Sequence, residues 1–218
     1  MGNLFNMDNG IFAFLGKVFD ILLLSIIWLI CCIPIITIGP ANTALYYATV
    51  KVIRRERGYL FQEFMKSFRL NFKRGAIVGV LLTLIYTILA FDLIWSWAAW
   101  ETNSKGSPLF GIFIAITFIL FCFSIYVFPV LSRFDMKFKQ LMKVTILMCI
   151  KHLPSTIAMA VILAASIIAT NYFLVLIFIL PAASTYLNSL LMERIFKKYM
   201  PTSDGPGEDT GKDEWYLE

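Results

Sequence analysis

AIVGVLLTLIYTILAFDLIWSW, residues 76–97, carries one ionisable side chain, Asp92, in 22 positions. As a helix it is about 33 Å long, enough to cross the hydrocarbon core of a bilayer. Working outward, four further stretches have the same character: 18–38 with Pro34, 109–132 with Pro129, 153–169, and 172–192 with Pro181. The expected fold is therefore all-α, a polytopic transmembrane helical bundle of about five spans filling residues 1–200. Composition agrees, with 59% hydrophobic and 15% charged residues and a mean hydropathy of +0.77. A soluble domain needs more charge than this to cover its surface. The prolines inside the runs read as packing kinks whose freed carbonyls are satisfied by neighbouring helices.

The formal charge of +5 does not point to nucleic acid, because the cations flank the apolar runs. Lys and Arg concentrate in segments 39–75 and 133–152 and after residue 192, while only Lys17 and Lys105 fall on the other side of a five-span alternation. The positive-inside rule then puts the N-terminus outside and the C-terminus in the cytoplasm. Trp95, Trp97 and Trp100 gather at the outer end of the second span, where indoles suit the lipid–water boundary. The apolar run after Lys17 is too long for a signal peptide and no small-x-small site follows it cleanly. Residues 201–218, rich in acid, Gly and Pro, read as a disordered tail.

Between the spans the pattern predicts three amphipathic helices on the inner face, over 41–57, 61–74 and 134–150. Gly39-Pro40 ends the first span and starts the next helix, and Gly58 ends that helix just after Arg54, Arg55 and Arg57. In the second, Phe61, Phe64, Phe68 and Phe72 recur at helical spacing beside Lys66 and Arg69. Three readings of that stripe stay open: a helix lying in the membrane interface, packing onto the inner ends of the spans, or docking of a cytoplasmic partner. With Gly39 and Pro40, these six residues are the candidate partner contact. In the third helix Phe134, Phe138, Leu141, Met142 and Thr145 share a face.

Chemistry inside the membrane is sparse. Asp20 and Asp92 both sit near the outer boundary and either could pair with Lys17, so no deep carboxylate suggests a proton relay. The fifth span has the densest polar content. Ser184 and Asn188, four residues apart, read as interhelical glue or as the lining of a polar path. The four cysteines and the lone His152 have no metal-ligand spacing, and no phosphate loop, zinc motif or nucleophile elbow occurs. We expect no enzyme, no cofactor and no metal.

Two stretches carry a family resemblance. Leu29-Ile30-Cys31-Cys32-Ile33-Pro34-Ile35-Ile36-Thr37-Ile38-Gly39-Pro40-Ala41, followed by Thr43-Ala44-Leu45-Tyr46-Tyr47, resembles the first span and turn of the YesL-like proteins. Gly58-Tyr59-Leu60-Phe61-Gln62-Glu63-Phe64 with Phe68 and Phe72-Lys73 is similar to the same family, as are Arg133-Phe134-Asp135 and Lys151-His152-Leu153-Pro154. These are small membrane proteins of unsettled function, mainly of Gram-positive bacteria, commonly encoded beside importers of the ATP-binding-cassette type for oligosaccharides and beside sensor kinases. The resemblance implies a non-enzymatic accessory or regulatory subunit in a bacterial cell membrane, linked to carbohydrate uptake or sensing, with importer permeases or a sensor kinase as partners. The alternative is a small stand-alone transporter or channel acting as an oligomer.

Overall fold

The structure is a computed structural model that describes residues 10–102, 108–134 and 136–199; Asp135, Lys105 and the tail 201–218 lie outside the described residues. Eight α-helices follow one another, and no strand occurs among the described residues: α1 (Gly10–Cys31), α2 (Ile38–Ala48), α3 (Leu60–Leu70), α4 (Phe72–Thr102), α5 (Pro108–Arg133), α6 (Phe138–Lys151), α7 (Leu153–Tyr172) and α8 (Leu180–Phe196). Four of them, α1, α4, α5 and α7, are long and apolar enough to cross a membrane, as the hydropathy pattern requires.

Two expected spans take another form. The first does not run to Ile38: α1 ends at Cys31, and Pro34 caps a short 3-10 turn, Ile35–Thr37, that leads into α2. The fifth is divided into a 3-10 turn over Leu174–Phe178 and the 17-residue α8. Pro181 does not kink a helix there but starts one, since its missing N–H costs nothing in a first turn. The break is stitched to α1 by Ser25, whose hydroxyl donates to the Ile179 carbonyl at 3.3 Å and accepts from the Ala182 N–H at 3.2 Å. Pro154 likewise opens α7, whereas Pro129 lies inside α5.

The helix expected over 41–57 on the inner face is instead the centre of the bundle. Eight of the eleven residues of α2 are buried, and the helix packs against α1, α3, α4, α5 and α8. Small side chains make this possible: Ala41, Ala44 and Ala48 are fully enclosed, so neighbouring helices come close on several sides. The tightest approach is to α4. A Cβ on Gly79 would lie 2.7 Å from the Gly39 nitrogen, and one on Gly75 would lie 2.9 Å from the Pro40 nitrogen. Backbone meets backbone there, and only glycine fits.

α1 and α2 form an antiparallel hairpin, with Trp28 Nε1 donating to Asn42 Oδ1 at 2.9 Å and Lys17 Nζ 2.9 Å from Glu56 Oε1. The sequence reading separates Lys17 from residues 54–57 by the membrane and pairs it with Asp20 or Asp92. In the structure Lys17 and that loop share one end, because α2 carries the chain back alongside α1. The same end collects Arg133, Glu193 and Lys197, and Tyr199 rests against Lys151 and His152 there. α4 and α5 are antiparallel, joined by Tyr86–Ser124 at 2.9 Å and by Trp97 against Phe110 at 5.4 Å near the opposite end.

α3 folds back along α2. Phe64 is fully buried, stacked on Phe68, which in turn meets Phe72 edge-on. Of the three open readings of the aromatic stripe, packing onto the bundle describes Phe64 and Phe68. Phe61, Lys66, Arg69 and Phe72 remain exposed. Lys51 and Glu63, 3.0 Å apart and both little exposed, fasten α3 to the turn that follows α2.

Candidate functional site

After Ala48 the helix of α2 widens into a π-helical turn, Thr49–Arg54. Such turns are rare and recur at functional sites, because the extra residue per turn resets which side chains face the interior. Just beyond it Glu56 adopts φ 55° and Gly58 φ 84°. A left-handed non-glycine residue is uncommon; the Glu56 side chain pairs with Lys17 at 2.9 Å. This local geometry brings Arg54, Arg55 and Arg57 around a pocket of about 400 Å³, closed on the other side by Glu193 and Lys197 near the end of α8. Arg54 is fixed by donating from Nη1 to the Ser189 carbonyl at 2.8 Å. Arg55 is held below its ordinary pKa by burial first and then by the neighbouring Arg133, the mark of cations crowded together.

Behind this vestibule lies a buried polar knot. Glu193 Oε1 accepts the Tyr46 hydroxyl at 2.8 Å and meets Arg133 Nη2 at 2.6 Å, while Oε2 is 3.9 Å from Arg55. The Arg133 side chain is 1% exposed and that of Glu193 7%. Three elements distant in sequence thus share one carboxylate, which closes the inner side of the vestibule.

On the far side of Tyr46 is a second pocket, of about 220 Å³, between α2, α5, α7 and α8. Its walls are mainly apolar, from Leu45, Phe121, Ile125, Phe128 and Leu163, with Asn42, Ser124, Thr185 and Asn188 as polar points. Asn188 is 7% exposed, and its side-chain carbonyl has no hydrogen-bond partner among the described residues. A buried carbonyl left without a partner costs about 1–3 kcal/mol.

The candidate residues from sequence therefore separate. Asn188 lines the inner pocket, but Ser184 turns back to the Pro181 carbonyl of its own helix at 3.1 Å. Gly39 and Pro40 are buried in the α2–α4 crossing and Phe64 in the core, so none of the three reaches the surface as a partner contact would. Sequence reasoning missed Tyr46, Arg133 and Glu193 as a unit. Only the position of Glu193, an acid next to the apolar fifth run, offered a signal.

The vestibule loop, the glycine crossing and Tyr46 all lie within one matched segment. No curated protein and no solved structure matches the chain. Residues 21–93 match the model of the family described as "Protein of unknown function, DUF624", which includes the YesL-like proteins.

Proposed function

We propose that this multi-pass membrane protein is non-enzymatic and handles a small solute along a path through its own bundle. The path would run from the basic vestibule, past Tyr46, Glu193 and Arg133, into the inner pocket. One observation carries the reading: two pockets lie on opposite sides of a single hydrogen-bonded knot, Tyr46 lining one and Glu193 the other. Breaking that knot would join the two pockets, so on this reading it is the gate of the path. By the positive-inside rule the charged end faces the cytoplasm, which puts Lys17 and Lys197 on that side together.

Reconstituted vesicles test this with a panel of small anions and monosaccharides. Wild-type protein should carry at least one solute above empty-vesicle leak. Glu193→Gln should raise the protein-dependent flux by loosening the knot, and Asn188→Leu should abolish it. Flux indistinguishable from empty vesicles for the whole panel would sink the proposal.

A second reading has its own support. Tyr59, Phe61 and Leu70 are more than half exposed, and the exposed Lys66 and Arg69 lie between Phe61 and Leu70 around the outer half of α3. On this reading the protein is an accessory or regulatory subunit whose partner, following the YesL-like resemblance, is the permease of an ATP-binding-cassette oligosaccharide importer or a sensor kinase. Phe61→Asp with Leu70→Asp, both on the outside of the fold, should then abolish crosslinked recovery of that partner. Unchanged recovery would exclude this face.

A further inference from the structure

We infer that α1 and α2 form a re-entrant hairpin, which enters the membrane from the charged end and turns back inside it, so that the turn over residues 30–37 rests against lipid acyl chains. The hairpin is too shallow to cross. The start of α2 is level with Gly79 on α4, because backbone meets backbone at that crossing, and the 3-10 turn before α2 also packs on α4. From Gly79 to Trp97, α4 rises about 27 Å. Trp97 meets Phe110 near the start of α5, whereas the other end of α5 holds Arg133, paired with Glu193 in the knot. The far boundary therefore lies most of a hydrocarbon thickness, about 30 Å, beyond the tip of the hairpin. At the open end of the hairpin Lys17 and Glu56 pair as two exposed charges. α1 is long enough to cross, yet the chain turns back toward the charged end before it does so.

The chemistry of the turn agrees. No charged residue occurs between Asp20 and Lys51. Ile30, Ile33, Ile35 and Ile36 are each more than half exposed, around Pro34. A turn in water is usually built from polar residues and glycine. The connection between α4 and α5 is of that kind, Glu101-Thr102-Asn103-Ser104-Lys105-Gly106-Ser107. In hydrocarbon, backbone donors need partners within the protein. The Cys32 N–H donates to the Trp28 carbonyl at 2.9 Å, Ile33 to Ile30 at 3.4 Å and Thr37 to Pro34 at 3.0 Å, and Pro34 has no N–H to satisfy. The Thr37 hydroxyl donates to the same Pro34 carbonyl at 2.6 Å, so the polar side chain of the turn is also satisfied. α4, α5 and α7 then cross, α8 carries the chain back, and α1 starts on the side where α8 ends. The hairpin concerns only the path of the chain, so it stands whichever reading of the function holds.

Cysteine accessibility in sealed vesicles of both orientations, with a membrane-impermeant sulfonated maleimide, tests this. In protein lacking the four natural cysteines, Ile33→Cys is compared with Tyr59→Cys for the charged end and with Asn171→Cys, at the end of α7, for the far end; all three positions are exposed. The two reference positions should label from opposite sides. Ile33→Cys should react at least about tenfold more slowly from either side, and fully after denaturation in detergent. Protein that keeps Cys31 and Cys32, with only Cys122→Ala and Cys149→Ala, should behave likewise without any change in the turn. Ile33 is 79% exposed on the protein, so its protection has to come from what surrounds the protein. A fluorophore attached there before reconstitution should accordingly be quenched by lipid that carries a nitroxide on its acyl chain. Labelling from the Asn171 side would show that α1 crosses, and labelling from the Tyr59 side that the turn lies in water. Protection without acyl-chain quenching would put protein against the turn. Any of these three results overturns the inference.

Discussion

Replacing Glu193 by Ala should be among the most damaging single substitutions in the chain. Arg133 lies 2.6 Å from the carboxylate, with its side chain 1% exposed, and Arg55 lies 3.9 Å away. Removing the acid leaves Arg133 charged and enclosed and leaves the Tyr46 hydroxyl without its acceptor. Breaking a buried pair from one side costs about 3–5 kcal/mol. At roughly 2–4 °C per kcal/mol for a chain of this size, the Tm in detergent should fall by about 6–20 °C. Glu193→Gln keeps an acceptor for Tyr46 and loses only the charge, so its effect should be about half as large. The paired variant Arg133→Met with Glu193→Leu removes both charges and should recover most of the loss, since a buried ion pair is seldom more stable than well-packed apolar side chains. All four proteins are heated at one scan rate, following tryptophan fluorescence and the monodisperse fraction, because membrane proteins often unfold irreversibly. A shift for Glu193→Ala below about 2 °C would mean that the pair behaves as a solvated surface bridge. A paired variant less stable than Glu193→Ala would show that the cost is lost shape and not stranded charge. Either result refutes the reasoning.

Gly79→Ala should cost about 1–3 kcal/mol as overpacking, because the new methyl meets Gly39 backbone that cannot move aside. Gly111→Ala on α5, with open space around the Cβ position, should instead be neutral or gain up to about 1 kcal/mol of helix propensity; equal effects in the same Tm assay would remove the close crossing as the cause. Asn188→Leu should leave the unliganded protein as stable or more stable, since it removes an unpaired buried carbonyl, while abolishing solute handling; a fall in Tm would show that the carbonyl is satisfied within the fold. Burial, then Lys198 and Lys151, holds the His152 imidazole below its ordinary 6.5. The unfolded chain therefore takes up the proton first, so this contribution to stability is intact above about pH 6.5 and lost as pH falls through that value. His152→Gln should flatten the acid side of a Tm-against-pH curve; an unchanged slope would assign the acid sensitivity elsewhere.

The four long helices were legible because crossing hydrocarbon demands length and apolarity, and both are local properties of a chain. What stayed hidden depends on which segments meet. α2 carries no charged side chain and is small and apolar on most sides, which is itself the signature of an enclosed helix. Gly39-Pro40 read as the end of a span, and its role emerges only opposite Gly75 and Gly79, two positions one turn apart on α4. Counting cations by loop took residues 39–75 as a connector between two spans on one side of the membrane, and so assumed that the chain does not return through the bundle there. Once α2 runs back beside α1, Lys17 joins the other cations at one end instead of opposing them. The knot was harder still to see. Tyr46, Arg133 and Glu193 are 147 residues apart at the extremes, and each alone has an ordinary reading. Their meeting also accounts for an acid at that position in α8. With Glu193 neutral, buried Arg133 would lose the carboxylate oxygen 2.6 Å from its Nη2 and Arg55 the one 3.9 Å away. One carboxylate thus ties α2, α5 and α8 together at the charged end of the bundle, which no single one of those segments discloses.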